Sequence, residues 1–200
     1  MENQLKILVD NLFDKEFDDI YNNVDLDSEI ANEFIYYNVG DFIYNDKKKP
    51  YAICCADKFD FKDQKERFIL FNNVKNKRWS LIFDDINFNV NNINNENGLI
   101  TTNEIINSNK LKNFPAFKYC KKFGDKAYIP TCKEFEILNK NLKQINKRVD
   151  ITNYIDDTCE YWTCNICTLT LYGYLFKINT GTTFLRNKNL LYPVLPFIQL

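Results

Sequence analysis

The chain has 200 residues, a net charge of −1, 45% apolar residues and 16% aromatic residues. That apolar bulk suits one good-sized domain with a buried core and excludes a disordered chain. Histidine is absent, which removes the commonest general base and every triad that contains it.

Charge is unevenly placed. Residues 1–37 hold ten acids and two bases, whereas 38–200 hold seventeen acids and twenty-four bases. Within the acidic head, Leu5, Leu8, Val9, Leu12, Phe13, Phe17, Ile20 and Tyr21 recur in steps of three and four, which predicts an amphipathic helix. A second short helix is expected over 27–36, capped at Asp27 or Ser28. The head is expected to form a helical segment, 1–37, with the capacity to mediate oligomers, and 38–200 a separate domain. Asp10, Asp14, Glu16, Asp18 and Asp19 interrupt the first apolar stretch, so no secretory signal is read there. No segment approaches the roughly 20 apolar residues that span a bilayer. A soluble, cytoplasmic chain is expected; a virion or cell-surface position would need a non-classical route.

From Val39 the texture changes to short apolar runs. Gly40–Tyr44, Tyr51–Ala56 and Arg67–Phe71 read as strands, with Asn45-Asp46 and the lysines after it as a turn. Trp79–Phe83 is expected to be another strand, followed by an Asn-rich loop over 84–98. Thr102 is read as the cap of a short helix containing Ile105 and Ile106. Pro115 suits the first turn of a helix through Cys120, ending near Gly124. Thr131 and Glu134 have capping-box spacing, and Phe135, Leu138, Leu142 and Ile145 continue as an apolar stripe, which predicts a helix over 131–147. Tyr161–Cys167, Leu171–Asn179 and Thr183–Arg186 read as strands, the last two joined by a turn at Asn179–Thr182. Leu190–Leu200 reads as one closing strand, placed at an edge or bulged because of Pro193 and Pro196.

Four phrases in order carry a resemblance. Gly98–Thr102 precedes Phe114–Cys120; Lys126–Leu138 is similar to "W-Y-L-P-S-x-x-E-L-x-x-L"; Tyr161-Trp162-Thr163 stands where "Y-W-S-S" is found; and Tyr192–Phe197 is similar to "V-R-P-V-R-A-F". Together they resemble the DUF1566 family, the C-terminal domain type of the Legionella collagen-like adhesin, over about 40–200. The resemblance implies an α+β, C-type-lectin-like fold: two helices, a small twisted antiparallel sheet, and N- and C-terminal strands close together. It also implies an adhesin-like or phage-related receptor-binding role, with Trp162 in the core and the ligand face after it, at about 164–189. The polar and aromatic candidates there are Asn165, Thr168, Thr170, Tyr172, Tyr174, Asn179, Thr180, Thr182, Arg186, Asn187 and Lys188. Tyr192 and Leu195 replace the two arginines of the closing phrase, and Cys164 the second serine of "Y-W-S-S". The calcium motifs of sugar-binding lectins are absent.

The expected function is therefore non-catalytic recognition of a protein or glycan without calcium or any cofactor. Cys159, Cys164 and Cys167 offer an alternative, a zinc- or disulfide-stabilised structural domain, although no second Cys pair completes a usual zinc set. Buried free thiols are the plainer reading. Asp156, Asp157 and Glu160 open a second alternative, a carboxylate-dependent glycosidase. The basic points Lys47–Lys49, Lys75–Arg78, Lys121-Lys122 and Arg186–Lys188 would need to share one face to bind a polyanion. The isoelectric point near 5.6 argues against strong nucleic-acid binding.

Overall fold

Turn chemistry at residues 38–50 starts the first ladder. Gly40 takes a φ of +94°, which glycine adopts without strain, and its N–H donates to Cys54 O at 2.8 Å. Asn45 Oδ1 accepts from both Lys47 N and Lys49 N, closing the predicted turn. The computed structural model describes residues 36–71, 73–81, 96–167, 169 and 171–200. The helices expected within 1–35 and the loop over 84–95 lie outside them.

In chain order the strands are β1 (Phe42–Tyr44), β2 (Pro50–Ala56), β3 (Arg67–Leu70) and β4 (Lys75–Arg78). Helix α1 (Gly98–Asn107), helix α2 (Pro115–Cys120), strand β5 (Ala127–Tyr128) and helix α3 (Cys132–Ile145) follow. The chain closes with β6 (Glu160–Ile166), β7 (Tyr172–Lys177), β8 (Thr182–Asn187), β9 (Leu191–Val194) and β10 (Phe197–Gln199). All strand pairs are antiparallel, in sheets ordered β1-β2-β3-β10-β5, β4-β9 and β6-β7-β8. The described residues thus form an α+β fold with several antiparallel sheets and three helices, the number read along the chain, where the resemblance implied two. Among the described residues no helix is long and apolar enough to cross a membrane.

Three local expectations are corrected. Of the strand expected at Trp79–Phe83, the described part, Trp79–Leu81, is not in a ladder, and the strand lies over Lys75–Arg78 instead. Trp79 N and Ser80 N both donate to Lys188 O, and the Trp79 indole is fully buried, so the chain leaves the ladder there. Thr102 does not cap α1; Asn97 does, its Oδ1 accepting from Leu99 N at 2.9 Å. Thr102 lies inside the helix, where its hydroxyl accepts from Ile129 N at 3.2 Å. Gly98 opens this helix because a Cβ there would lie 2.4 Å from Ile129 O. Finally, the single closing strand is two, interrupted at Leu195-Pro196. Pro193 sits in the β4–β9 ribbon opposite Asn76, where each strand keeps an outer edge. β10 is interior, between β3 and β5. The strand beside the C-terminal one is therefore β3, and β1 lies at the far edge of that sheet.

The capping box of α3 forms as the sequence predicts. Thr131 Oγ1 accepts from Glu134 N, and Glu134 Oε2 accepts from Thr131 N. Its apolar stripe delivers Phe135 and Leu138 to the main core, with Ile53, Ile69, Tyr161 and Phe176. Phe135 stacks on Phe176 at 5.4 Å between ring centroids. A second core gathers Trp79, Phe114, Phe117, Trp162, Leu175 and Val194. A third, on the other face of β2 and β3, holds Ala52, Cys54, Phe68, Leu70 and Ile198.

Candidate functional site

Strand alternation decides which candidate residues share a face. Tyr172, Tyr174 and Phe176 point one way on β7, opposite Asn187, Leu185 and Thr183 of β8. Helix α3 covers this face over part of its length. Asn139 Nδ2 donates to Ile178 O, Phe135 lies on Phe176, and Cys132 N donates to Asn165 Oδ1 at 2.6 Å. Beyond Cys132 the helix has ended, and the face opens: Tyr174 is half-buried, Tyr172 is 39% exposed and Leu185 is exposed. Leu169, Leu171 and Leu190 are exposed on the adjoining loops, which Lys188 N ties together by donating to Leu171 O at 2.9 Å, and Leu191 is exposed at the start of β9.

The sequence candidates do not form one site. Tyr172 and Asn187 face each other across the ladder at this open end, with Tyr174 beside them and Asn165 held at the start of α3. Asn179, Thr180 and Thr182 lie at the opposite end of the β7–β8 hairpin, beyond the Lys177↔Thr182 pair. Five residue steps, about 17 Å at ~3.4 Å each, separate the two groups. Thr168 and Thr170 lie outside the described residues.

The two candidate cations point the other way, onto the Trp162 face. Arg186 Nη2 donates to Glu160 Oε1 at 3.3 Å, its Nε donates to Tyr192 Oη at 3.1 Å, and its guanidinium lies over the Phe184 ring. Lys188 is only 5% exposed, with its ammonium 4.7 Å from the centre of the Trp79 ring, and burial lowers its pKa. Read as a surface run, Arg186-Asn187-Lys188 looks basic. Read with a period of two from buried Leu175 and its partner Phe184, the same run puts both cations on the indole side.

The alternatives from cysteine and carboxylate chemistry find little support in the geometry. All seven cysteines are free, and among the described residues no three metal-ligating side chains come together. Cys159 donates to Asp156 Oδ2 at 3.1 Å, and burial, then that carboxylate, pushes its thiol up to about 11. Burial also raises Cys164. Both thiols are shifted away from the thiolate that a metal or a nucleophile requires. Of the acidic group, Glu160 pairs with Arg186, and Asp156 accepts from Thr158 and Cys159.

One polar centre escaped the sequence reading. Glu134, fully buried, accepts from Arg67 Nε and Tyr128 Oη at 2.8 Å each through Oε1, and from Thr131 N and Gly98 N through Oε2. Arg67 completes its donors with Lys65 O and Asp63 Oδ2, both at 2.7 Å. Asp63 Oδ2 also accepts from Asn97 and Gln199. A cavity of about 210 Å³, lined by Phe61, Lys62, Asp63, Arg67, Glu96, Asn97 and Ile100, lies over this network. Glu134 already has four donors, so the centre ties β3, α1, α3 and β5 together instead of presenting an open acceptor. The signals available were Arg67 at the head of an otherwise apolar run and the capping-box glutamate.

No protein-family model matches the chain, and no curated protein matches it in sequence.

Proposed function

We propose that residues 38–200 are a C-type-lectin-like, non-catalytic module that recognises a protein or glycan at the open end of the β6–β7–β8 sheet, without calcium. The single observation that carries this is the exposed apolar group there: Tyr172 flanked by Leu169, Leu171, Leu190 and Leu191, the last 61% exposed. Exposed apolar clusters of this kind mark interaction surfaces, and a rigid tyrosine anchor beside adaptable asparagines suits recognition. Leucines favour a protein over a glycan as the occupant. The order of the elements from β3 supports the lectin-like reading: helices, then a three-stranded sheet around Trp162, then a last strand paired with β3.

The residues to test differ from those a sequence alone would choose, since Arg186 is engaged and Lys188 is buried. Binding of the full chain to a glycan array and to purified candidate surface proteins should fall at least tenfold, about 1.4 kcal/mol, in Tyr172→Ala and Leu191→Asp. Thermal unfolding should stay unchanged. A ligand that binds both variants as well as the wild type would refute this placement.

A further inference from the structure

Two segments free of acids lie side by side. Residues 73–81 carry Lys75, Lys77 and Arg78, residues 115–124 carry Lys118, Lys121 and Lys122, and neither stretch contains Asp or Glu. Their packing is direct: Tyr119 Oη donates to Asn73 O at 3.2 Å, and Lys77 Nζ lies 5.5 Å from the centre of the Tyr119 ring. On the α2 side, spacings of three and four bring Lys118, Lys121 and Lys122 to one helical face. Alternation along β4 puts Lys75 and Lys77 on one face and turns Arg78 to the other, so the shared face holds five lysines, of which Lys77 is half-buried and the rest are exposed. None of the six forms an ion pair among the described residues, whereas Lys62, Arg67, Lys133, Arg148 and Arg186 each face a carboxylate.

Five lysines on one face with no ion pair among the described residues repel one another and work against the compact state. The repulsion is relieved by an anion that spans them. We infer that the β4–α2 face binds a short stretch of sulfated polysaccharide. All five cations of this face are lysines, compact point charges that match separate sulfate groups, and among the described residues it carries no planar arginine fork of the kind that reads base edges. Tyr119 is half-buried with its hydroxyl engaged, so it offers no open platform for stacking a base. The inference stands without the lectin-like reading.

The test is titration of a labelled heparin octasaccharide with the full chain, followed by anisotropy at increasing salt. Affinity should fall steeply with salt, as counter-ion release requires. The triple variant K118Q/K121Q/K122Q should lose about tenfold or more, summing three surface contacts, and K75Q/K77Q should fall in the same direction. The control K47Q/K48Q/K49Q removes as much charge from the β1–β2 turn, at the sheet edge away from β5, and should stay within about twofold. Absence of binding near about 0.1 M salt would overturn the inference. So would equal losses in the control or in Tyr172→Ala. Tighter binding of a short DNA duplex through the same lysines would assign the face to nucleic acid and overturn the glycan assignment.

Discussion

Two arginine–glutamate pairs hold different parts of this molecule. Arg67–Glu134 joins β3 to α3 at 2.8 Å with both side chains fully buried; Arg186–Glu160 joins β8 to β6 at 3.3 Å with both partly in solvent. In the first, every carboxylate oxygen has two donors, so neither charge can be withdrawn without stranding buried partners. In the second, water can replace either partner. Burial therefore decides what each pair is worth, and a pair that looks the same on a contact map is indispensable in one place and nearly neutral in the other.

The largest effect should come from Glu134→Ala, which takes the acceptor from Arg67 Nε, Tyr128 Oη and two backbone N–H groups. A loss of about 3–5 kcal/mol is expected in urea unfolding. A loss under about 1 kcal/mol would show that water enters the site and that the burial argument fails. Arg67→Met combined with Glu134→Met sharpens the point. Removing both charges should restore part of that loss, yet the double variant should stay below the wild type because Thr131 N, Gly98 N and Tyr128 Oη lose their acceptor. Next in size, Thr131→Ala removes the cap of α3 and should cost about 1 kcal/mol. Glu160→Gln should change stability by at most about 1 kcal/mol, less still at high salt. A larger, salt-independent loss would erase the contrast between the two pairs.

The smallest effect concerns pH. Burial lowers the pKa of Lys188, so the folded state holds that proton less tightly than the unfolded chain does. Its contribution is complete above the ordinary lysine value of 10.5 and is lost as pH falls through the folded value. Wild type should therefore gain stability relative to Lys188→Met between pH 7 and 10, read as the difference in urea midpoints. A difference that does not change with pH would show that the ammonium is solvated.

Local signals were legible where one segment settles its own conformation. The Thr131 cap, Pro115 at the start of α2 and Asn45 in its turn each act within a few residues, and each is found as the sequence predicts. Long-range partners overrode local pattern elsewhere. Trp79 leaves its strand for Lys188 O, 109 positions on, and Thr102 turns to Ile129. Pro193 and Pro196 read as one awkward strand because nothing local shows that β9 and β10 belong to different sheets. The candidate face was legible in outline through Tyr172 and Asn187, but polarity alone could not tell displayed cations from the two folded onto Trp162 and Trp79. Glu134 was visible as a cap and invisible as a junction, since Arg67 lies 67 positions away.

Cys54 and Cys55, neighbours in β2, carry one more consequence. Alternation sends their thiols into different cores, Cys54 beside Phe68 and Cys55 beside Ile53 and Phe135. Both are fully buried, so an alkylating reagent reaches either only when its own core opens. Variants keeping one of the two would turn a single peptide bond into a pair of clocks, each timing the local unfolding of one side of the sheet. Equal labelling rates would mean that the two cores open together, as one cooperative unit.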